Sequence, residues 1–204
     1  NMGHHGIWGK GNGTYPQNMY DTSVKVPFVA RLPGRIAAGS SSEALVSGYD
    51  VSPTILELAG LGGNRTSRGA ETEIESEVAL PGRSFASLLT GGDGDQNRDE
   101  VVVYDEYGPV RMVRTSEWKY VHRFFYGPHE FYHLTEDPEE RVNLADDPAY
   151  RPGVLEMRDR LEEWFARYAD PERDGGKLAV SGLGQLGPVW SDTESFLPFR
   201  RPGE

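Results

Sequence analysis

Apolar residues in the first half of this chain concentrate in two short segments separated by polar and glycine-rich sequence. The first runs from Val24 to Leu32 and is apolar enough to predict a largely buried strand that ends at Pro33-Gly34. The second lies between Asp50 and Gly60, where Ser52 suits the N-cap of a helix and Pro53 suits its first turn. A strand followed by a helix predicts an α/β layer.

The predicted helix should end at Gly60 and bury a single face. Ile55, Leu58 and Ala59 share that face at helical spacing. A further short helix is predicted within residues 80–89, before a polar linker at residues 91–99.

The second half of the chain has a different pattern. Four runs rich in β-branched and aromatic residues alternate with turn residues, at Val101 to Tyr104, Val110 to Thr115, Lys119 to Tyr126 and Glu130 to Leu134. They predict a small four-stranded antiparallel sheet of consecutive hairpins. Apolar residues then recur at helical spacing from Val154 to Tyr168, which predicts one amphipathic helix that covers the sheet.

These patterns divide the chain into three regions. We expect an α/β portion at residues 1–98, a sheet with its helix at residues 99–174, and a Gly/Pro-rich tail at residues 175–204. The polar linker supplies the first boundary.

Composition restricts the function classes. A formal net charge of −11 disfavours a broad nucleic-acid surface, which would need clustered Lys and Arg. No apolar run approaches the ~20 residues of a membrane span, and no basic-then-apolar leader is visible, so we expect no membrane partner. The absence of cysteine excludes disulfides, thiolate metal ligands and a cysteine nucleophile within this sequence.

The first residues carry the clearest candidate chemistry. The stretch Gly3-His4-His5-Gly6-Ile7-Trp8-Gly9-Lys10-Gly11 is dense in glycine, which lets backbone approach a ligand closely. Lys10 supplies a compact ammonium suited to a tetrahedral anion, and His5 lies near it. The simpler interpretation is a glycine turn with a solvated lysine.

A second candidate is His129-Glu130-Phe131-Tyr132-His133, which matches the zinc-peptidase signature. The motif binds one zinc only on a helix, because histidines four residues apart on a strand are separated by about 13 Å. Aromatic residues and turn formers on both sides predict a strand here. This argues against a zinc site, and we keep a zinc peptidase only as an alternative function.

Taken together, several segments resemble the type I, formylglycine-dependent sulfatases of the alkaline phosphatase superfamily. They occur in the family's order along nearly the whole chain. These segments are Met2 to Gly11, Tyr20 to Val29, Tyr49 to Gly60, Leu80 to Phe85, Val110 to Val121 and Glu130 to Leu144.

The resemblance implies the C-terminal part of an alkaline-phosphatase-like sandwich, followed by a small four-stranded antiparallel sheet packed on one helix. It also implies hydrolysis of a sulfate ester at a divalent cation, usually calcium, with a formylglycine nucleophile. Lys10 matches the family lysine that contacts the sulfate and the leaving group, so it is the expected catalytic and substrate-binding residue. His5 is a further expected substrate-binding residue.

The departures from the family pattern matter equally. No Cys-x-Pro-x-Arg or Ser-x-Pro-x-Arg segment is present, and the family's metal ligands precede Asn1, so this chain itself supplies no expected metal ligand. We therefore expect the C-terminal half of a sulfatase, inactive alone, whose partner is the missing N-terminal half. The compartment stays open: periplasmic, extracellular and cytoplasmic locations all fit.

The expected substrate is a sulfated small molecule or glycan, recognised in part by loops at Tyr107 to Arg114 and Phe125 to His129. The tail segment Val180 to Gln185 resembles one that some family members place near the pocket. Two alternatives remain beside the peptidase: a phosphate or phosphonate ester hydrolase of the same superfamily, and a non-catalytic glycan-binding module.

Overall fold

The computed structural model describes residues 2–9, 17–61, 80–92, 98–105, 109–124, 127–172 and 174–176. The chain divides into two compact units, one formed by Asn1–Val26 with Val102–Glu204 and the other by Pro27–Val101. The first unit joins distant parts of the sequence, because the N-terminal segment packs on the sheet formed by the second half of the chain.

A four-stranded sheet forms the centre of the first unit. Its strands are hydrogen-bonded in chain order, β1 (Val101–Tyr104), β2 (Val110–Arg114), β3 (Trp118–Arg123) and β4 (Glu130–His133). The pairs β2–β3 and β3–β4 are antiparallel, with Met112 opposite Val121. The four predicted strands are thus confirmed, with small differences at their ends.

The long helix α4 (Arg151–Tyr168) covers one face of this sheet, as predicted. The core between them consists of Val102, Val113, Tyr120, Phe131, Met157 and Leu161. Burial of each such large side chain contributes roughly 1.5–3 kcal/mol. Gly153 lets the helix approach closely, because a Cβ there would lie 3.2 Å from Cζ of Phe131.

The N-terminal segment, ending in the short helix α1 (Asp21–Val24), covers the other face of the sheet. Met19 is buried there against apolar side chains of β2 and β3. Because side chains alternate along a strand, one set of residues shares this face. We call it the loop-facing side of the sheet; it comprises Val110, Met112, Arg114, Lys119, Val121, Arg123, Glu130 and Tyr132.

The second unit contains helix α2 (Val51–Leu58). Its start differs from the prediction, because a capping box at Ser47 and Asp50 precedes it through a 3-10 turn, with Ser47 N donating to Asp50 Oδ2 over 2.8 Å. Ser52 therefore lies inside the helix, since a capping box satisfies two backbone groups that a lone serine would leave open. Gly60, with φ of 75°, ends the helix as predicted.

A buried carboxylate joins α2 to the short helix α3 (Ala86–Thr90). Asp50 is 1% exposed and accepts bonds from Arg98 Nη2 at 2.5 Å and Arg83 N at 2.8 Å. Thr54 donates to the Asp50 carbonyl and accepts from Phe85 N, at 2.6 and 3.0 Å. These polar contacts thus join the start of α2 to the residues around α3.

The predicted buried strand from Val24 to Leu32 is wrong for this chain. Its first residue belongs to α1, and no strand pairing follows through Leu32. Val26, Phe28 and Val29 are exposed. A strand forms only beside another strand that accepts its hydrogen bonds, and the described residues of the second unit contain none.

The predicted buried face of α2 is also wrong. Ile55 is 59% exposed, whereas Thr54 is 3% exposed. The helix packs through the Asp50 and Thr54 contacts, and no described element covers the side of Ile55. The helical spacing of Ile55, Leu58 and Ala59 therefore did not identify the buried side of α2.

No helix within the described ranges is both long and apolar enough to cross a bilayer. The predicted division at residues 98 and 174 stays a prediction, and most of the tail from residue 175 lies outside the described residues.

Candidate functional site

The glycine-rich loop at the N-terminus folds as a closed turn. Met2 and Trp8 form an isolated antiparallel bridge, and Gly3 N donates to Ile7 O over 3.0 Å. Gly3 has φ of 93°, and a Cβ on it would lie 2.9 Å from the Trp8 ring. Glycine is therefore required there for both conformation and space. The loop presents its histidines to solvent.

His5 occupies a conformation that residues other than glycine seldom adopt, with φ of 53° and ψ of 24°. Its imidazole lies flat on the ring of Tyr20, with centroids 3.6 Å apart and planes 3° from parallel. The residue as a whole is exposed. A strained backbone held by a stacked ring is typical of a side chain with a defined orientation.

Tyr20 is in turn fixed by the sheet. Its hydroxyl forms a hydrogen bond with Tyr132, which is 3% exposed on the loop-facing side. Burial raises the pKa of Tyr20, and the nearby Glu130 carboxylate raises it further. The pKa of Tyr132 is raised more strongly by the same causes. Both phenols are therefore protonated at neutral pH and serve as hydrogen-bonding groups.

An arginine–glutamate pair lies beside the tyrosines. Arg123 Nη1 is 2.9 Å from Glu130 Oε1 and donates to Pro128 O, also at 2.9 Å. Its Nη2 donates to Gln17 O at 3.4 Å, which ties the end of the loop to the sheet. Arg123 Nε and Glu130 Oε2 are buried and make no hydrogen bond within the described residues.

Lys119 is the strongest anchor of the loop. It is fully buried, and its Nζ lies 2.5 Å from Asp21 Oδ1 and 2.5 Å from Glu140 Oε1. It also donates to Met19 O at 3.0 Å. Burial by itself would raise the pKa of Asp21, but the charges on Lys119 and Arg114 outweigh it, so the pKa is lowered.

The Asp21 carboxylate is therefore ionised at neutral pH, and Asp21 and Glu140 together hold α1 to the sheet through Lys119. Asp21 N donates to Glu140 Oε2 over 2.6 Å, which adds a backbone contact to the charge contacts. Glu140 has φ of 56°, a left-handed conformation maintained by these partners. The residues that follow the glycine-rich loop are thus fixed by contacts with β3 and with the turn after β4.

Lys10, the residue expected to contact a sulfate, lies outside the described residues. Its role and that of His5 stay predictions. The described residues nearest to it are Gly9, at the end of the loop, and Gln17, whose carbonyl accepts a hydrogen bond from Arg123 on the sheet.

The zinc-peptidase motif lies on a strand, as the flanking residues predicted. Glu130–His133 is β4, and the two histidines have separate partners. His133 contacts Trp118 edge-on at 4.2 Å, whereas His129 stacks on His122 at 4.4 Å. Across the described ranges, no three His, Asp or Glu side chains come together as a metal site. The peptidase alternative therefore has no support here.

The stacking of His122 on His129 has a structural explanation. Burial lowers the pKa of His122 to about 3 and lowers that of His129, so both rings are neutral at neutral pH. The His122 Nδ1 is 2.9 Å from the Tyr120 hydroxyl. Two neutral, stacked imidazoles can pack together without charge repulsion.

The two predicted recognition loops are only partly described. Residues 106–108 and 125–126, and the tail segment from Val180 to Gln185, lie outside the described residues. In the described remainder, Arg111 pairs with Asp174, and its guanidinium lies 3.7 Å from the Phe165 ring centroid. Arg114 instead pairs with Asp21 at 3.3 Å. Both arginines thus make internal contacts, and substrate recognition by these loops stays a prediction.

Sequence reasoning missed the residues that hold the loop. Tyr20 lies 112 positions from Tyr132, and Lys119 lies 98 positions from its partner Asp21, so no local spacing connects these contacts. One sequence feature could have indicated them: a lysine and a glutamate occur inside otherwise apolar strand patterns. Such charged residues are buried only when they are paired.

The sheet, its helix and the glycine-rich loop define the C-terminal portion of a sulfatase-type protein. The chain belongs to the family described as N-sulphoglucosamine sulphohydrolase, C-terminal, whose model matches residues 3–167. That match spans both the loop and the sheet, so it confirms the predicted membership.

Individual relatives support the same family membership. The chain is 30% identical over 201 residues to an ulvan-active sulfatase from Formosa agariphila, covering 81% of this chain and 36% of that protein. It is 32% identical over 182 residues to a multifunctional alkaline phosphatase superfamily protein from Trinickia caryophylli, covering 79% of this chain and 32% of the relative.

A comparison with solved structures supports the same fold. A protein in complex with its substrate D-glucosamine-2-N,6-O-disulfate matches with a TM-score of 0.65 and 25% identity, over 87% of this chain and 34% of that one. This confirms the predicted fold class. The chain spans about a third of the length of the proteins that it matches.

Proposed function

We propose that this chain is the C-terminal part of a sulfatase that hydrolyses a sulfate ester on a carbohydrate once it is combined with an N-terminal part. The observation that carries the proposal is the family match across residues 3–167, which includes the glycine-rich loop and the sheet that holds it. Alone, the chain should be inactive, because it contains no sequence for the expected nucleophile.

The roles of the residues follow from charge. A sulfate monoester develops negative charge on its leaving oxygen, and a fixed cation stabilises that charge in the transition state. Lys10 supplies the cation, and His5, an exposed residue of the same loop, contacts the bound ester. The sheet contributes by holding Tyr20 and Asp21, so that the loop before them has a defined position.

The divalent cation and the formylglycine belong to polypeptide outside this chain. Among the described residues, no three Asp, Glu or His side chains come together as candidate metal ligands. We expect calcium to be held by the N-terminal part, where it would act as a Lewis acid on the ester. We therefore assign Lys10 and His5 only the roles of binding and charge stabilisation.

A phosphate or phosphonate ester hydrolase is the second candidate. It is supported by the 32% identity to the multifunctional alkaline phosphatase superfamily protein from Trinickia caryophylli. A phosphate monoester has the same tetrahedral shape and a similar charge, so Lys10 would suit either substrate. The sulfated-sugar proposal draws on the ulvan-active relative and on the disulfated glucosamine bound by the solved protein.

Turnover on matched esters tests the proposal. The full-length protein, with the polypeptide encoded upstream joined to this chain, is assayed on 4-nitrophenyl sulfate, phosphate and phenylphosphonate, and on sulfated glucosamine. We expect hydrolysis of the sulfates at least about 100-fold above the others in kcat/KM, a transition-state preference of about 2.7 kcal/mol. A preference for the phosphorus esters would favour the second candidate, and no turnover of any ester would contradict both.

Substitutions at Tyr20 test the proposed binding role of His5. Replacing Tyr20 by leucine removes the stacked ring, and we expect KM to rise roughly tenfold, the effect of one lost hydrogen bond to a charged group. Tyr20→Phe keeps the ring and should stay within about twofold of wild type. The kcat value should change less than KM, because His5 binds but does not react.

A double variant and a control distinguish positioning from general damage. In a His5→Ala background, Tyr20→Leu should have no further effect on KM, because the two residues act through one contact. Tyr104→Leu, a change at an exposed tyrosine on β1, should leave KM unchanged. Equal losses from Tyr20→Leu in both backgrounds would contradict the assignment.

A further inference from the structure

Arg123 makes contacts that join three separate segments of the first unit. Its Nη1 donates to Pro128 O over 2.9 Å, and its Nη2 donates to Gln17 O over 3.4 Å. Glu130 on β4 balances its charge, with Oε1 2.9 Å from Nη1. Arg123 is 3% exposed, so solvent competes little for these contacts. One buried guanidinium therefore binds two carbonyl groups, one that precedes the sheet and one that follows β3.

The backbone of Arg123 is attached to the same turn as its side chain. Gly127 N donates to Arg123 O over 3.2 Å, and Arg123 N donates to His129 Nδ1 over 3.3 Å. We call residues Gly127–His129 the β3–β4 turn. It is the described part of the loop Phe125 to His129, which is predicted from the sequence to contact the substrate beyond its sulfate. Arg123 thus fixes this turn through three hydrogen bonds.

The contact with Gln17 is made close to Lys10 in the sequence. Lys119 already holds Asp21, and with it α1, to the sheet. The Arg123 contact lies further towards Lys10, at the first described residue that follows it. Because α1 is attached without Arg123, this second attachment is not needed to hold α1. It instead fixes the position at which the chain returns to the sheet after Lys10.

The guanidinium suits a residue that holds two segments at a fixed distance. Its planar fork presents N–H groups in fixed directions, so two acceptors that bind it are fixed relative to each other. A lysine ammonium is a compact charge on a flexible stem, and its position adjusts to its partners. The two carbonyl groups are uncharged, so the ion pair with Glu130 does not by itself explain why Arg123 binds both.

We propose that Arg123 is a positioning residue that couples the β3–β4 turn to Gln17, so that a sugar bound at the turn is aligned with the ester at Lys10. This inference rests on the proposed function, because it takes Lys10 as the group that contacts the sulfate. Binding energy from a non-reacting part of a substrate speeds turnover only when that part and the reacting group are held in register. Arg123 maintains this register from a buried position, through the two segments that it binds.

Selectivity between two sulfate esters tests the coupling. In the full-length protein, Arg123→Lys should lower kcat/KM about 30-fold on sulfated glucosamine but only about threefold on 4-nitrophenyl sulfate, because only the sugar contacts the turn. The ratio of the two values should therefore fall about tenfold. On the sugar, kcat should fall more than KM rises, because a displaced Lys10 mainly affects the transition state. Arg98→Lys, at an arginine of the second unit that likewise binds a carboxylate and a carbonyl, should leave the ratio within about twofold.

A double-mutant cycle tests the coupling without a sugar. Gly127 has φ of 84°, and a Cβ there would lie 2.8 Å from His129 N, so Gly127→Ala should displace the turn. It should lower kcat on 4-nitrophenyl sulfate about threefold in wild type and have no further effect in Arg123→Lys, because both changes act through one contact. Gly39→Ala, at a glycine of the second unit with φ of 73° and no atom within 4 Å of its Cβ, should have the same small effect in both backgrounds.

Hydrogen exchange measures the coupling without turnover. The amides of Ser23 and Val24 donate to Tyr20 O, three residues after Gln17. Gly127→Ala should speed their exchange about threefold in the full-length protein when Arg123 is present and leave it unchanged in Arg123→Lys. The amides of β2 serve as the internal reference.

Each outcome decides between coupling and a purely structural role. Equal losses on both esters from Arg123→Lys, or equal effects of Gly127→Ala in both backgrounds, would overturn the proposal. Glu130→Gln keeps Arg123 but removes the charge that orients it, so it should lower the ratio about threefold and serves as the test if circular dichroism shows that Arg123→Lys does not fold. Coupled hydrogen exchange without turnover of any ester would support the link between the two segments and contradict the proposed function.

Discussion

Replacing Lys119 by alanine should destabilise the chain by about 3–5 kcal/mol, the typical cost of breaking a buried ion pair from one side. The side chain is fully buried, and its ammonium is the shared partner of Asp21 and Glu140. Its removal leaves two carboxylates with only Arg114, at 3.3 Å from Asp21, to compensate them. Urea unfolding at neutral pH, followed by circular dichroism, measures the loss.

The pH dependence of this loss has a definite sign. The folded pKa of Asp21 is lowered, so its contribution to stability is present above the ordinary value of 3.8 and is lost as the pH falls through the folded value. Lys119→Ala removes the main charge that lowers this pKa. The difference in unfolding free energy between wild type and variant should therefore narrow from pH 7 to pH 3.

Two further variants make the prediction specific. Lys25→Ala, at an exposed lysine, should cost less than about 0.5 kcal/mol. A Lys119→Met/Glu140→Gln double variant should be more stable than Lys119→Met, because it leaves one fewer uncompensated charge. A loss below about 1 kcal/mol for Lys119→Ala would show that the anchor does not hold the loop.

The sheet and its helix could be predicted from the sequence because their contacts are local. Hairpins join consecutive strands, so the runs at Val110 to Thr115 and Lys119 to Tyr126 had only to find their neighbours. The apolar stripe of α4 likewise faces the sheet that immediately precedes it. Because these pairings are short-range in sequence, the apolar pattern alone was enough to predict each strand and the helix.

The strand predicted from Val24 to Leu32 failed for the opposite reason. Its pattern is that of a segment covered on both faces, whereas in the described part of the second unit Phe28 contacts Phe85 and Val29 is exposed. The prediction that Ile55 on α2 is buried failed for the same reason, because it assumed a neighbouring apolar surface, and Ile55 is exposed. Propensity indicates what a segment prefers, whereas tertiary partners decide what it adopts.

The candidate site was accessible only in part. Lys10 and His5 come from a contiguous motif, which a resemblance can identify. The stacking of His5 on Tyr20, and the bond from Tyr20 to Tyr132, join residues distant in sequence. The partners of Lys119 were not predicted, because nothing in the spacing selects Asp21 and Glu140 from the other acidic residues.

Lys10→Ala should lower kcat of the full-length protein on a sulfate ester by about 10²–10³-fold, the usual effect of removing one charge-stabilising group from an active site. The proposed ammonium neutralises charge that grows on the leaving oxygen, so the loss should appear mainly in kcat. For the same reason, esters with a poorer leaving group should lose more than 4-nitrophenyl sulfate. Steady-state kinetics on both ester types measures it.

Charge and geometry can be separated at this position. Lys10→Arg keeps the cation but changes its shape, so it should recover part of the activity. Lys25→Ala is the matched control, because it removes an equal charge fifteen positions later in the same N-terminal region and should leave kcat unchanged. A Lys10→Ala protein with wild-type kcat would contradict the assignment, because the ester would then be stabilised without this ammonium.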